Sequence, residues 1–220
     1  TKQVGDSYLI NTRTNYYHKP VYSLNWKWDI DGSSSLSTTL YGSKGRGGGT
    51  GPLNTRDTYM GDGDTVDTYY KYFNPAELND GSGQIDWGQV IENNRQWSVE
   101  SEFDTTYSST MHRSKRIIRA SVNHHDWTGV LSTYNRRLSD NLNFTTGFDI
   151  RSYAGEHYRE VVNLLGGDYY VDFSDDNDVS NADKVKRIGD KVAYHNIGYN
   201  SWFGGFVQGE YSMNDLTGFV

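Results

Sequence analysis

Between Pro20 and Asp31 the side chains alternate. Tyr22, Leu24, Trp26, Trp28 and Ile30 point one way, and Val21, Ser23, Asn25, Lys27 and Asp29 point the other. Period-two alternation marks a β-strand with one apolar and one polar face. A run of about ten residues is the length of a bilayer-crossing strand. Asp31-Gly32-Ser33-Ser34 then provides a turn. Leu36, Thr38 and Leu40 follow, alternating with Ser37, Thr39 and Tyr41, so the two segments read as an up-and-down hairpin. The pattern returns from Asp126 to Tyr134. After a short turn at Arg136 to Asn141, Leu142, Phe144, Thr146, Phe148 and Ile150 oppose Asn143, Thr145, Gly147, Asp149 and Arg151. A further strand spans roughly Gly198 to Tyr211, with Phe203, Val207 and Tyr211 opposite Gln208 and Glu210. Ser212-Met213-Asn214-Asp215 turns the chain into Leu216–Val220.

The expected strands lie at about 20–31, 35–44, 123–135, 141–153, 197–211 and 216–220. Connections between them are alternately short and long, the long ones at about 45–122 and 154–196. That is the layout of outer-membrane barrels, with tight periplasmic turns and long outer loops. Soluble β-sandwiches seldom place every long connection at one end. Lys27, Asp29, Asp149, Arg151 and Glu210 sit on the polar face, as a water-filled lumen allows. The expected fold class is all-β: an antiparallel up-and-down transmembrane β-barrel segment of about six strands. Residues 1–220 would then belong to a single barrel domain with long extracellular loops.

Composition supports strands over helices. The chain has 18 Tyr, 6 Trp and 24 Gly but only five Ala. Mean hydropathy is −0.79, and no apolar run approaches the roughly 18 residues of a membrane helix. A net charge of −7 argues against nucleic acid as a partner. With no cysteine, disulfides, thiolate metal sites and cysteine nucleophiles are excluded.

No enzyme is expected. The nucleophile-elbow pattern Gly-x-Ser-x-Gly and the zinc pattern His-Glu-x-x-His are both absent, and no carboxylate pair is singled out by spacing. Gly45-Arg46-Gly47-Gly48-Gly49 lacks the Lys-Ser/Thr ending of a phosphate loop. It reads as a flexible strand end, with a lumenal ligand contact through Arg46 as the functional alternative. His124-His125 and the stretch Glu156 to Glu160 carry metal-capable side chains, but adjacent histidines in a strand face opposite ways. The carboxylate run from Asp172 to Asp183 reads as a solvated acidic loop. The one cofactor it admits is a structural calcium at Asp175, Asp176 and Asp178. Tyr59, Tyr69, Tyr70 and Tyr72, with Tyr169 and Tyr170, are either rigid amphipathic platforms for a ligand or loops packed on themselves. The substrate-contact candidates are therefore Arg46, Tyr59, Tyr69, Tyr70, Trp87, Arg151, His157, Tyr169 and Tyr170. A short helix is expected from Trp87 to Asn93.

Several stretches carry a family resemblance. They are Tyr16-Tyr17-His18-Lys19-Pro20, the run Leu40 to Gly49, Ile85-Asp86-Trp87, the run Arg119 to Trp127, Gly147-Phe148-Asp149-Ile150-Arg151, and Gly155 to Glu160 with Leu164 to Tyr170. In order and rough spacing they resemble TonB-dependent receptors of the Bacteroidetes type. The resemblance implies an active transporter of the bacterial outer membrane, with a plug domain inside a barrel of about 22 strands. It would import a scarce nutrient (a metal chelate, a cobalamin-like cofactor or a glycan) with energy passed through TonB. Implied partners are outer-membrane lipid, the TonB system through the plug, the small nutrient ligand and a surface lipoprotein. The chain shows neither plug nor TonB-contacting segment, and Thr1-Lys2-Gln3-Val4 is no signal peptide. The expectation is an interior piece of a barrel that continues on both sides and cannot act alone. The rival readings are a passive outer-membrane porin and a secreted glycan-binding β-sandwich.

Overall fold

The computed structural model describes the backbone of residues 2–4, 7–54, 58–59, 66–67, 85–100, 107–108 and 110–220. Among them, the side chains of residues 2–4, 7–9, 54, 58–59, 66–67 and 97–100 are not described. The strands are β1 Lys2–Val4, β2 Ser7–Leu9, β3 Asn15–His18, β4 Val21–Asp29, β5 Ser34–Asn54, β6 Thr58–Tyr59, β7 Val66–Asp67, β8 Arg113–Ser114, β9 Arg116–Arg137, β10 Leu142–Asn163, β11 Tyr169–Val171, β12 Val185–Lys186, β13 Lys191–Met213 and β14 Leu216–Phe219. Helix α1 spans Trp87–Glu100 and helix α2 spans Asn181–Lys184. With 66% strand and 8% helix the fold is all-β and mostly antiparallel. The largest sheet has seven strands in the order β14-β13-β10-β9-β5-β3, with β4 also paired to β5. No helix among the described residues is long and apolar enough to cross a membrane.

Four strands run past the ends expected from alternation. Residues 45–54, 116–122, 154–163 and 191–196, expected in long loops, are strand. Helix α1 likewise continues beyond Asn93 to Glu100. Asp86 starts it: its carboxylate accepts from the Gln89 amide at 2.9 Å, satisfying one of the orphan donors of the first turn.

The chain divides into two compact units. The first comprises Thr1–Tyr16, Gly47–Asn123 and His157–Asn196. It has a protein core on both faces of the start of β9. On one face Ile118 packs with Val90 and Ile91 of α1 and with Leu165. On the other, Ile117 packs with Val161, Leu164, Tyr170 and Val192. Each such side chain contributes about 1.5–3 kcal/mol when fully buried. Asn94, fully buried on α1, reaches the carbonyls of Arg116, Leu164 and Leu165 at 2.8, 3.2 and 3.0 Å. Its own carbonyl accepts from the amides of Lys115 and Arg116. One side chain thus satisfies backbone groups that regular pairing leaves over. Asp172 is also fully buried, contrary to the expected solvated start of the acidic run. Its carboxylate accepts from the Ser174 amide at 2.9 Å and from the Ala193 amide at 2.6 Å. Ala193 has φ 67°, a left-handed backbone that this bond helps to hold.

The second unit comprises Tyr17–Arg46, His124–Glu156 and Ile197–Val220. β4 and β5 pair antiparallel with Leu24 opposite Leu40, Trp26 opposite Thr38 and Trp28 opposite Leu36. This register puts the apolar sets of both strands on one face, because side chains alternate. The three expected tight turns are present. In the first, Asp31 accepts from the Ser33 amide at 2.7 Å, closing an Asx turn. The second joins β9 to β10 through residues 138–141. In the third, β13 and β14 pair antiparallel across Asn214-Asp215, and Asn214 takes φ 52°, which asparagine tolerates.

The two faces of the second unit differ chemically. One is hydrogen-bonded: Thr39 donates to Asn25 at 2.8 Å, Thr145 to Asn135 at 2.9 Å, and Lys27 meets Asp29 at 3.2 Å. The other presents Tyr22, Leu24, Trp26, Trp28, Leu40, Phe148, Ile150, Phe203, Val207 and Tyr211, all exposed. Leu24 is 66% exposed and Phe203 75%. Among the described residues no second sheet covers this face, as a β-sandwich would require.

Candidate functional site

The polar face of the second unit carries the most developed group of binding-type side chains. Tyr17, Lys19, His125, Trp127, Arg151 and Tyr153 line a cleft of about 330 Å³. Pro20 interrupts the strand line between β3 and β4, since it has no amide hydrogen to donate. Lys19 lies in that break, with its ammonium 5.9 Å from the centre of the Trp127 ring. Such a cation over an indole face is attracted by the ring quadrupole. Tyr41 holds Trp127 from the other side, edge to face at 5.3 Å between centroids. Its hydroxyl donates to Asp149 at 3.1 Å, and Asp149 is paired with Arg151. His125 and Tyr153 share a 2.5 Å hydrogen bond between Nδ1 and the phenol oxygen.

Glycines make room for these rings. A Cβ at Gly129 would run into the ring of Tyr41, and one at Gly45 would touch His125 and Lys19. The aromatic groups are therefore fixed by packing and by hydrogen bonds, which lowers the entropy lost on binding. The lining combines flat apolar rings with the donors Lys19, Arg151 and two phenols. That combination suits a polar ligand with a flat apolar face and peripheral hydroxyl or anionic groups.

Of the nominated residues whose side chains are described, Arg151 alone belongs to this cleft. Arg46 is bound to Asp126 in a two-point ion pair, 2.6 and 3.0 Å. By alternation it lies on the same side as Trp26 and Leu40, opposite Gly45 and the cleft. It borders a smaller hollow with His124, Asp126, Glu156 and Tyr199, in which His124 and Glu156 stand 3.5 Å apart. Trp87 is the first residue of α1 and packs against the Val90–Leu165 cluster. His157 pairs through Nδ1 with Asn123 at 2.7 Å.

Tyr169 and Tyr170 are 0% and 3% exposed. Tyr170 packs in the core with Ile117, Val161, Leu164 and Val192, the self-packing alternative of the sequence reading. Tyr59 has only its backbone described, in β6, and Tyr69, Tyr70 and Tyr72 lie outside the described residues, as does the Asp62-Gly63-Asp64 turn. In the acidic stretch, Asp175 accepts from the amide and side chain of Asn177 at 3.0 and 2.8 Å, and Asp178 pairs with Lys186 at 2.8 Å. Among the described residues no three imidazoles or carboxylates gather as a metal site.

Lys19, Tyr41, His125, Trp127 and Tyr153 were missed from sequence. Parity was the available signal: His125 and Trp127 fall on the polar side of their strand, where bulky rings are out of place unless they contact something. Comparison of the chain with protein-family models, with curated proteins and with solved structures gives no significant match.

Proposed function

We propose that the chain forms part of the wall of an outer-membrane β-barrel receptor of the TonB-dependent kind. Its polar face contributes to capture of a nutrient ligand at the Trp127 cleft. The observation that carries this reading is the uncovered apolar face of the second unit. Leu24, Trp26, Phe203 and Val207 would be costly in water, and a soluble monomer rarely exposes more than a few hundred Å² of contiguous apolar surface. In a bilayer the same face is at rest, while the paired polar groups opposite it face a wet lumen. The aromatic, ion-bearing cleft favours a binding receptor over a passive porin, whose lumen needs no fixed rings. A glycan-binding sandwich would need a partner sheet over Leu24.

The test is fractionation and surface proteolysis of cells that make the native protein. The protein is expected in the outer-membrane fraction. Protease added outside should cut near Asp176 and spare the turns at 31–34, 136–141 and 212–215. Recovery from the soluble fraction, or cleavage confined to the three short turns, would overturn the reading.

A further inference from the structure

We propose that Arg13, Arg119 and Arg159 of the first unit form a binding site for a doubly charged oxyanion group, phosphate or sulfate. The guanidinium groups of Arg13 and Arg119 converge beside Gly51 of β5, and the charge of Arg159 acts on Arg119. The Arg13 Nη1 and the Arg119 guanidinium both come within 3.6 Å of one point, the place a Cβ would occupy at Gly51. A methyl group at that point would be in ordinary contact with both cations. Arg119 donates to Ser121 Oγ at 2.9 Å and approaches the Gly49 carbonyl at 3.5 Å. Arg159 lies over the Tyr194 ring, 5.2 Å from its centre, which fixes the plane of its guanidinium.

The Nε atoms of Arg119 and Arg159 are buried and have no hydrogen-bond partner. Among the described residues no carboxylate forms an ion pair with any of the three arginines. Burial pushes the Arg119 guanidinium below its ordinary range, and the charges of Arg159 and Arg13 push it further. The next acid along β10, Glu160, acts on Tyr16 instead: burial first and then Glu160 raise that phenol. Like charges with no counter-ion among the described residues are unfavourable, and buried donors with no acceptor among them add to the cost. An oxyanion with several acceptor oxygens relieves both, and planar guanidinium forks match its geometry. The site lies wholly in the unit that has a protein core, so the proposal does not rest on the membrane reading.

The experiment is calorimetric titration of the purified full chain with inorganic phosphate, inorganic sulfate and glucose 6-phosphate. Ionic strength is held constant with sodium chloride, and glucose is the neutral control. Saturable one-site binding of the anions and none of glucose is expected. Tighter binding of glucose 6-phosphate than of inorganic phosphate would identify a ligand-borne group; equal binding would identify the free ion; both support the site. The double change Arg119→Gln with Arg159→Gln should raise Kd roughly tenfold or more, the effect of losing charge-assisted bonds. Arg13→Gln, at an exposed position outside the core, keeps the fold testable and should weaken binding several-fold, while Arg136→Gln at the exposed end of β9 should not. Phosphate heats no different from those of added chloride, or Arg13→Gln and the double variant binding like the unaltered protein, would overturn the proposal.

Discussion

Every buried apolar side chain among the described residues belongs to the first unit, from Val90 and Ile117 to Tyr169 and Val192. In the second unit the buried polar side chains are Ser34, Ser43 and Ser132, while Leu24, Trp26, Phe203 and Val207 stand exposed. The contrast arises within single strands: β9 contributes fully buried Ile117 to one unit and exposed Leu131 to the other. The same kind of strand has thus been fitted to two surroundings. In the first unit its apolar groups are enclosed by other side chains of the chain; in the second, Trp26 and Trp28 stack on each other but the apolar face stays exposed, and the polar groups pair among themselves. Hydrophobic burial within the protein can account for the first arrangement. The second is the arrangement that the proposed outer-membrane reading accounts for, with the apolar environment supplied from outside.

The largest effect expected is in the first unit. Ile117→Ala should cost about 2–5 kcal/mol, because it opens a cavity between Val161, Tyr170 and Val192. Chemical denaturation would measure it, and the cost should be the same in detergent and in lipid. A near-neutral result would mean that the first unit has no rigid core.

Leu24→Arg sharpens the other side of the comparison. In a bilayer it should cost roughly 2–4 kcal/mol near the midplane. At an exposed site in water the change should stay within about 0.5 kcal/mol. Equal stability of Leu24→Arg and the unaltered protein in lipid would break the contrast between the units.

Gly129→Ala should have a smaller effect, about 1–3 kcal/mol, because the new methyl displaces the Tyr41 ring. Loss of the Tyr41–Asp149 bond and of the Trp127 edge contact should also change Trp127 fluorescence. Unchanged emission would show that the cleft is not held by Tyr41.

The smallest effect is a pH dependence confined to the first unit. The Asp168 carboxylate is held below its usual range, first by the backbone amide of His112 and then by the His112 ring. A depressed carboxylate contributes stability that is present above its unfolded value, near about 4, and is lost as pH falls through the lowered folded value. Acid titration should therefore loosen the His112–Asp168 contact below about pH 4, and Asp168→Asn should flatten that limb. A variant that keeps the full acid limb would assign it elsewhere.

Sequence patterning reached the second unit far better than the first, for physical reasons. Strands 20–31, 141–153 and 197–211 meet two different surroundings, so their side chains alternate and the period is visible. The start of β9 is buried on both faces: Ile117 and Ile118 are adjacent and both enclosed, which erases the alternation. Residues 45–51 carry five glycines, which have no side chains to alternate, so the continuation of β5 looked like loop. The same cause hid the sites. Gly129 makes room for the Tyr41 ring beside the cleft, and Gly51 lies against the arginines, yet neither signals chemistry. Tyr169 and Tyr170 misled in the opposite direction, since an adjacent tyrosine pair in a polar stretch looks like a platform until its burial is known.

The central claim is that the exposed apolar face of the second unit lies in lipid and exposed apolar groups of the first unit do not. The chain has no cysteine, so single labels are clean. Fluorescent labels on Leu24→Cys, Phe203→Cys and Val179→Cys, the last an 84% exposed site of the first unit, would be read with a quencher confined to the acyl chains. Labels at 24 and 203 should be quenched and the label at 179 should not. If positions 24 and 203 are as insensitive to the lipid quencher as position 179, the account is contradicted.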